Sequence, residues 1–207
     1  SGEAPVDLGE RVAGGHVDIP RMKEGGVGAQ VFACWVDPDA SRESWRERTF
    51  EAVEAVRRQA SARSADMAVA LDRGDLAAIR SSGRIAAVIG VEGGHVLGGS
   101  SDILDELYEA GVRCLTLTWN NTNALADACG GERRWGGLSE AGRRAVRKMN
   151  RLGMAIDLSH VSDETFYDSV ELSSAPILVS HSNMRSLCDI DRNISDAMLL
   201  ALRENGG

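Results

Sequence analysis

Three side chains of metal-binding type, Glu92, His160 and His181, stand at the ends of short apolar segments. His160 closes the run Met-Ala-Ile-Asp-Leu-Ser-His, and His181 closes the run Pro-Ile-Leu-Val-Ser-His. The interval between the two histidines is long enough for one crossover helix between parallel strands. One carboxylate and two imidazoles at neighbouring strand ends suit Zn²⁺. The alternative for either histidine alone is an unrelated surface or core residue, but their shared position in consecutive units favours a site.

Other polar residues near these segments are weaker candidates. Asp157, three residues before His160, is either a partner of a metal ligand or a carboxylate buried in its strand. His95 lies in a glycine-rich turn, and we favour a structural role for it over a ligand role. Ser159 and Ser180 adjoin the histidines, but neighbouring strand residues point to opposite faces, so we predict no serine nucleophile.

The elements that must position these residues follow from hydrophobic patterning. Apolar runs rich in β-branched residues predict buried strands, and charged segments with helical spacing predict helices. The predicted strands are 29–36, 85–91, 114–119, 154–160 and 176–181. The predicted helices are 41–73 with a break near 61–64, a short helix that ends at Arg80, 101–110, 139–152, 163–172 and 195–203. Gly74 is the predicted C-cap of the first helix, and Asp75 is the predicted N-cap of the short one.

Strands that alternate with helices, without hairpin signals, predict an α/β fold with a parallel sheet. At the carboxyl ends of barrel strands all such residues face one mouth, so a partial (β/α)₈ barrel would bring the histidines together. Five strands do not close a barrel of eight, and strand count alone leaves an open doubly wound sheet as the alternative. We treat residues 1–207 as a single domain.

Composition excludes several classes of partner. The formal net charge of −8 argues against nucleic acid or an anionic membrane, because both require a basic face. No apolar run approaches the roughly 18 residues of a transmembrane helix. The four cysteines are widely spaced and form no C-x-x-C pair, which is typical of reduced thiols. A cytoplasmic location is the working prediction.

Several longer motifs resemble one family. They are residues 16–30 (HVDIPRMKEGGVGAQ), 90–95 (GVEGGH), 115–120 (LTLTWN), 153–162 (GMAIDLSHVS), 179–183 (VSHSN) and Arg192-Asn193. In this order they resemble the membrane (renal) dipeptidases, a family of binuclear zinc peptidases. The resemblance covers essentially the whole chain. It implies a metal-dependent hydrolase barrel, of which this chain would supply about strands 2–6.

The resemblance also implies roles for individual residues. Glu92 matches the catalytic glutamate that bridges both zinc ions, while His160 and His181 match the histidines that bind the second zinc. Arg192 matches the arginine that binds the carboxylate of a dipeptide, a role that suits a guanidinium fork. The implied reaction is hydrolysis of dipeptides by a metal-bridged hydroxide, with two Zn²⁺ in the complete domain. Homodimers are usual in the resembled family.

Three departures from the family pattern qualify this expectation. The family's first-strand H-x-D pair would precede this chain, and we do not assign His16-Val17-Asp18 to that role because it stands in a later segment. The catalytic aspartate of the family would lie beyond Gly207, so the 207 residues alone are expected to be inactive. Trp119 stands where several members have a substrate-contacting histidine. The alternatives are a catalytically inactive homologue that serves as a binding or structural module, and a binuclear hydrolase of a non-peptide amide or lactam.

Overall fold

A computed structural model of the protein describes residues 6–207 as a parallel five-stranded sheet with helices around it. In chain order the elements are α1 (Ile19–Glu24), β1 (Ala29–Trp35), α2 (Arg42–Ala62), β2 (Met67–Val69), α3 (Arg73–Ser81), β3 (Ile85–Glu92), a 3₁₀ turn (Gly94–Leu97), α4 (Ile103–Glu109), β4 (Val112–Thr116), α5 (Glu140–Leu152), β5 (Ala155–Asp157), α6 (Asp163–Leu172) and α7 (Asp196–Asn205).

Strand β3 is the centre of the sheet. Strand β1 pairs with it along one edge, while β2 and β4 pair with successive parts of its other edge, and β5 pairs with β4. Every pairing is parallel, and the strands are connected by helices, as the alternating pattern predicts. The α/β class and the parallel sheet are therefore confirmed.

The core lies between the sheet and helices α4, α5 and α6. Leu107, Leu115, Met149, Ile156 and Phe166 are almost completely excluded from solvent there. Burial of side chains of this size contributes about 1.5–3 kcal/mol each relative to exposure. None of the helices between residues 6 and 207 combines the length and apolar character that crossing a bilayer requires.

The break predicted near 61–64 in the helix over 41–73 is confirmed, because α2 ends at Ala62. The predicted helical continuation to residue 73 is wrong, because the apolar residues 67–69 form the short strand β2 against β3. The predicted caps are also displaced, because Asp72 rather than Asp75 caps α3 and Gly74 lies inside that helix. Three apolar residues satisfy both periodicities, so only pairing with a distant strand decides between them.

The predicted strand over 176–181 is reduced to one parallel bridge between Asp157 and Leu178. Two backbone hydrogen bonds flank it, from Leu178 N to Ile156 O and from Leu158 N to Leu178 O. The residues that follow leave the sheet in turns. This departure determines the orientation of Ser180 and His181 in the site.

Candidate metal and substrate site

One row of side chains crosses the carboxyl end of the sheet. Trp35 is paired with Glu92, Glu92 with Thr116, and Thr116 with Asp157. Residues that are paired directly in neighbouring parallel strands point to the same face. The register therefore places these four side chains on one face of the sheet, where a cavity of about 460 Å³ is lined by Glu92, Thr116, Asp157 and His181.

The turn after Glu92 requires glycine. Gly93 has φ of 101°, and a Cβ atom there would lie 2.5 Å from His95 Cε1. His95 itself is buried, with its Nε2 3.0 Å from the carbonyl oxygen of Val36 and its ring packed edge-on against Trp45. Burial lowers the pKa of His95, although the contact with Val36 and the charge of Asp37 oppose this. These contacts agree with the structural role predicted for His95.

His160 lies just beyond β5 rather than at its last residue. It is 8% exposed and has φ of 72°, a left-handed conformation that non-glycine residues seldom adopt. Its carbonyl oxygen accepts a hydrogen bond of 2.7 Å from the backbone N–H of Cys129. Such strain persists only where surrounding contacts impose it, and it is most frequent at functional sites.

The three predicted metal ligands converge. His160 Nε2 lies 3.0 Å from Glu92 Oε1 and 2.9 Å from His181 Nε2, and His181 Nε2 lies 3.1 Å from the same glutamate oxygen. Ligand atoms around one tetrahedral Zn²⁺ lie roughly 3.3 Å apart, because each is about 2.0 Å from the ion. The spacing of the three atoms is close to that of a single metal's ligand set.

The other nitrogen of each imidazole has its own partner. His160 Nδ1 lies 2.9 Å from the side-chain carbonyl oxygen of Asn120, which can only accept, so Nδ1 carries the proton. His181 Nδ1 lies 2.7 Å from Ser180 Oγ. The direction of this second hydrogen bond depends on what else the Ser180 hydroxyl does.

Asp157 fixes the direction of the Ser180 hydroxyl. The aspartate is buried, and its Oδ1 accepts the backbone N–H groups of Ser159 and Ser180 at 3.1 and 3.0 Å. Its Oδ2 accepts the hydroxyls of Thr116 and Ser180, each at 2.7 Å. Because the Ser180 proton goes to Asp157, its oxygen must accept from His181 Nδ1–H. The expectation that Ser180 points away from His181 is wrong, since residues 179–181 do not continue a regular strand.

The donor set fits a cation. With both Nδ1 atoms protonated, Nε2 of His160, Nε2 of His181 and the Glu92 carboxylate present three lone pairs to one point. Three acceptors at this spacing require a metal ion or an added proton between them. Two neutral imidazoles and one carboxylate are ligands that Zn²⁺ prefers.

Glu92 is ionised in this environment. Without a metal, an added proton in the cluster lets His160 Nε2 donate to Glu92. This hydrogen bond is the main cause that holds the pKa of Glu92 below its ordinary value, and His181 adds to the effect. Partial burial and the nearby Asp157 act in the opposite direction. A carboxylate that remains charged at neutral pH is available as a metal ligand.

Arg192 lies close enough to this cluster to interact with its charges. Its Nη1 donates to Ser182 Oγ at 2.8 Å. Burial lowers the pKa of its guanidinium, while Cys129, Asp157 and Glu92 favour the charged form. Trp119 lies beside His160, with 6.4 Å between ring centroids. Both residues predicted to bind substrate therefore border the predicted metal ligands.

The His16-Val17-Asp18 segment lies outside this cluster. Asp18 is buried and caps α1 by accepting from the backbone N–H of Arg21 at 2.8 Å, while His16 is exposed. The sequence argument against a metal role for this pair agrees with these contacts.

Two further residues at the site, Asn120 and Trp35, were not singled out from the sequence, and Ser180 was considered only as a nucleophile. Asn120 and Ser180 each hold one histidine by its Nδ1, and Trp35 packs against Trp119 with 5.1 Å between ring centroids. Ser180 and Asn120 directly adjoin residues that were predicted, which is a usable signal. Trp35 is recognisable only once its pairing with Glu92 is known.

Comparison with known proteins decides the family. The family model described as membrane dipeptidase, peptidase family M19, matches residues 5–207. The chain belongs to the membrane dipeptidase family. An uncharacterized dipeptidase of Schizosaccharomyces pombe is 37% identical over a match that includes 93% of this chain and 49% of the relative. The predicted family membership is thus confirmed, and this family of metallopeptidases implies a metal cofactor.

Solved structures agree with this assignment. A metallopeptidase of Rhodobacter sphaeroides, crystallised with a phosphinate mimic of the dipeptide L-Ala-D-Ala, superposes with a TM-score of 0.86 at 26% identity, covering 96% of this chain and 64% of its own. The probable dipeptidase PvdM of Pseudomonas aeruginosa superposes with a TM-score of 0.91 at 24% identity, covering 98% of this chain and 56% of its own. These matches confirm the predicted fold class, part of a TIM-like barrel.

The chain spans about half the length of the curated dipeptidase from S. pombe that it matches. Assignment of the domain as an incomplete barrel that lacks the first strand and the last strands therefore stays a prediction.

Proposed function

We propose that the protein containing this chain is a zinc-dependent dipeptidase whose metal is held in part by Glu92, His160 and His181. The observation that carries the proposal is the convergence of three lone pairs, with both imidazoles held by their Nδ1 atoms. Membership of the membrane dipeptidase family supports the same reaction.

The bound metal would act as a Lewis acid and activate a water molecule for attack on the scissile amide. Glu92 would hold the metal from the sheet end and, in the complete domain, bridge two ions. His160 and His181 would bind through Nε2, since Asn120 and Ser180 occupy Nδ1. His160 lies on the buried side of the cluster and His181 on its exposed side.

Arg192 would bind the free carboxylate of the substrate. Only its Nη1 has a hydrogen-bond partner among residues 6–207, so the remaining N–H groups of the fork are available to a carboxylate. Trp119 would contact the substrate beside His160. Since indole nitrogen only donates, Trp119 cannot accept a proton from substrate as a histidine would.

The test uses the whole gene product that carries these residues. We expect release of free amino acids from simple dipeptides, loss of this activity on dialysis against a chelator, and recovery with Zn²⁺. His181→Ala should lower metal affinity by at least about 10-fold, since one ligand is lost. The matched control is His16→Ala, because His16 is exposed and outside the cluster.

Two results would contradict the proposal. Full activity in protein shown by elemental analysis to contain no metal would exclude metal-dependent hydrolysis. Failure on every dipeptide, with turnover of another amide or a lactam, would replace the dipeptidase assignment by the related hydrolase.

Homodimer formation and cytoplasmic location stay predictions. Sedimentation of the whole gene product would give the first, and fractionation of the source cells would give the second. A monomer or a secreted product would correct these predictions without changing the site.

A further inference from the structure

Two tryptophans form an apolar surface at the mouth of the candidate site. The rings of Trp35 and Trp119 lie 5.1 Å apart between centroids and are inclined by 55°. Trp35 stands at the end of β1, and its neighbour Cys34, which is buried, points to the opposite face of the sheet. Two indole rings in contact beside a cluster of polar ligands offer a surface for binding an apolar group.

Strand register places this pair on the metal-facing side. Trp35 is paired directly with Glu92 and therefore points to the same face. Trp119 follows β4, and its Cβ lies 3.7 Å from the position that a Cβ on Gly93 would occupy. Its ring is 6.4 Å from that of His160. The pair therefore adjoins the residues that would hold the reacting amide.

The order of elements separates the pair from Arg192. Across the sheet, β1 and β4 lie on either side of β3, then β5 follows, then the segment that carries His181. Arg192 stands on the loop after that segment and contacts Ser182. Trp35 and Arg192 thus lie at opposite ends of the strand order, and Trp119 lies between them beside His160.

We propose that Trp35 and Trp119 together form a subsite for a large apolar or aromatic side chain on the N-terminal residue of the dipeptide. This inference rests on the proposed function, in which Arg192 binds the C-terminal carboxylate of the dipeptide and the N-terminal residue lies toward the tryptophans. Two indole faces give a wide apolar surface, and offset aromatic contacts add about 0.5–1.5 kcal/mol beyond burial of area. Trp35 is then a specificity-determining residue.

The experiment compares isomeric substrates of the whole gene product. Phenylalanyl-glycine should have a kcat/KM about tenfold higher than alanyl-glycine, as one aromatic contact of this strength allows. Glycyl-phenylalanine has the same composition as phenylalanyl-glycine and should lack this advantage. Trp35→Ala should reduce the ratio between phenylalanyl-glycine and alanyl-glycine from about ten to about one.

Two further variants keep this test decisive. Trp35→Phe preserves an aromatic face and should keep most of the ratio, even if Trp35→Ala folds poorly. Trp135→Ala removes an exposed tryptophan that bonds to the Asn123 carbonyl, outside the row that faces Glu92, and should leave the ratio unchanged.

The outcomes separate the two proposals. Hydrolysis of all three dipeptides without preference for phenylalanyl-glycine, or with preference for glycyl-phenylalanine, overturns the subsite and leaves the dipeptidase assignment intact. An unchanged ratio in Trp35→Ala also overturns the subsite. Absence of turnover for every dipeptide overturns both.

Discussion

Two buried aspartates of this protein, Asp157 and Asp127, have almost no exposed surface and accept several hydrogen bonds each. They differ in the groups that they hold in position. Asp157 accepts two side-chain hydroxyls, and one of them leads to the imidazole of His181. Asp127 accepts only backbone N–H groups, those of residues 134–137. The first carboxylate orients a metal ligand, and the second closes a loop.

The difference lies in the donors. A hydroxyl can rotate, and it donates to one group while it accepts from another. The group to which it donates therefore determines the direction of its second hydrogen bond. A backbone N–H has a fixed direction, so Asp127 determines the path of the chain between β4 and α5. That loop also contacts the site, since the N–H of Cys129 bonds to the carbonyl of His160. The comparison predicts that variants at Asp127 affect stability and that variants at Asp157 affect metal binding.

The largest expected effect is that of Asp127→Ala. This change leaves the N–H groups of residues 134–137 without their acceptor, in hydrogen bonds that are buried at Gly137 and partly buried at the other three. Each group left unsatisfied costs about 1–3 kcal/mol. We expect the free energy of unfolding to fall by about 3 kcal/mol or more, measured by denaturant titration. A loss below about 1 kcal/mol would mean that the loop keeps its path without this carboxylate.

Asp157→Asn should weaken metal binding with less effect on stability. The amide oxygen must face the N–H groups of Ser159 and Ser180, so the amide NH₂ faces Ser180 Oγ. That hydroxyl must then donate to His181 Nδ1, which moves the imidazole proton to Nε2 and blocks the metal-binding lone pair.

We expect Zn²⁺ affinity of Asp157→Asn to fall by about 10–100-fold, as is typical when a partner of a metal ligand is changed. Nitrogen NMR of the metal-free protein should show the changed tautomer of His181. Unchanged affinity together with an unchanged tautomer would contradict the direction of hydrogen bonding inferred from the structure.

Ser180→Ala and Ser139→Ala form a matched pair of smaller changes. Each hydroxyl both donates and accepts: Ser180 lies between Asp157 and His181, while Ser139 donates to the carbonyl of Ala124 and caps α5. Ser180→Ala should lower Zn²⁺ affinity by roughly 10-fold. Ser139→Ala should lower the free energy of unfolding by about 1 kcal/mol and leave affinity unchanged. Equal loss of affinity in both variants would assign the effect to general destabilisation.

The smallest expected effect is a pH dependence from Asp127. Burial alone would raise its pKa, but the N–H groups of residues 134–137 outweigh burial and hold it below the ordinary value. A lowered folded-state pKa gives stability that is present above the unfolded value of about 3.9 and is lost as pH falls through the folded value.

The stability difference between the protein and Asp127→Asn should therefore shrink as pH falls below about 4, measured by denaturant titration at each pH. A difference that stays constant through this range would show that the charge of Asp127 contributes nothing and that its geometry alone matters.

Much of the fold followed from local patterns. Helices α5 and α6 have the predicted bounds within one residue, because Ser139 caps the first, Gly153 ends it and Ser162 caps the second. Strand β2 was missed and residues 176–181 were assigned too much regular structure. Pairing between residues distant in the sequence decided both cases, and periodicity over a few residues contains no information about it.

The sequence by itself determined which ligands exist and in what order: Glu92, His160 and His181 stand at the ends of apolar runs, and motifs around them identify the family. Tertiary structure alone decided that Asp157 directs the hydroxyl of Ser180 toward itself and so leaves His181 Nε2 free. It also decided that Trp35 shares a face with Glu92 and contacts Trp119. The physical reason is that a hydrogen bond's direction and a side chain's neighbours depend on register between separate strands, whereas residue type and spacing are properties of the chain alone.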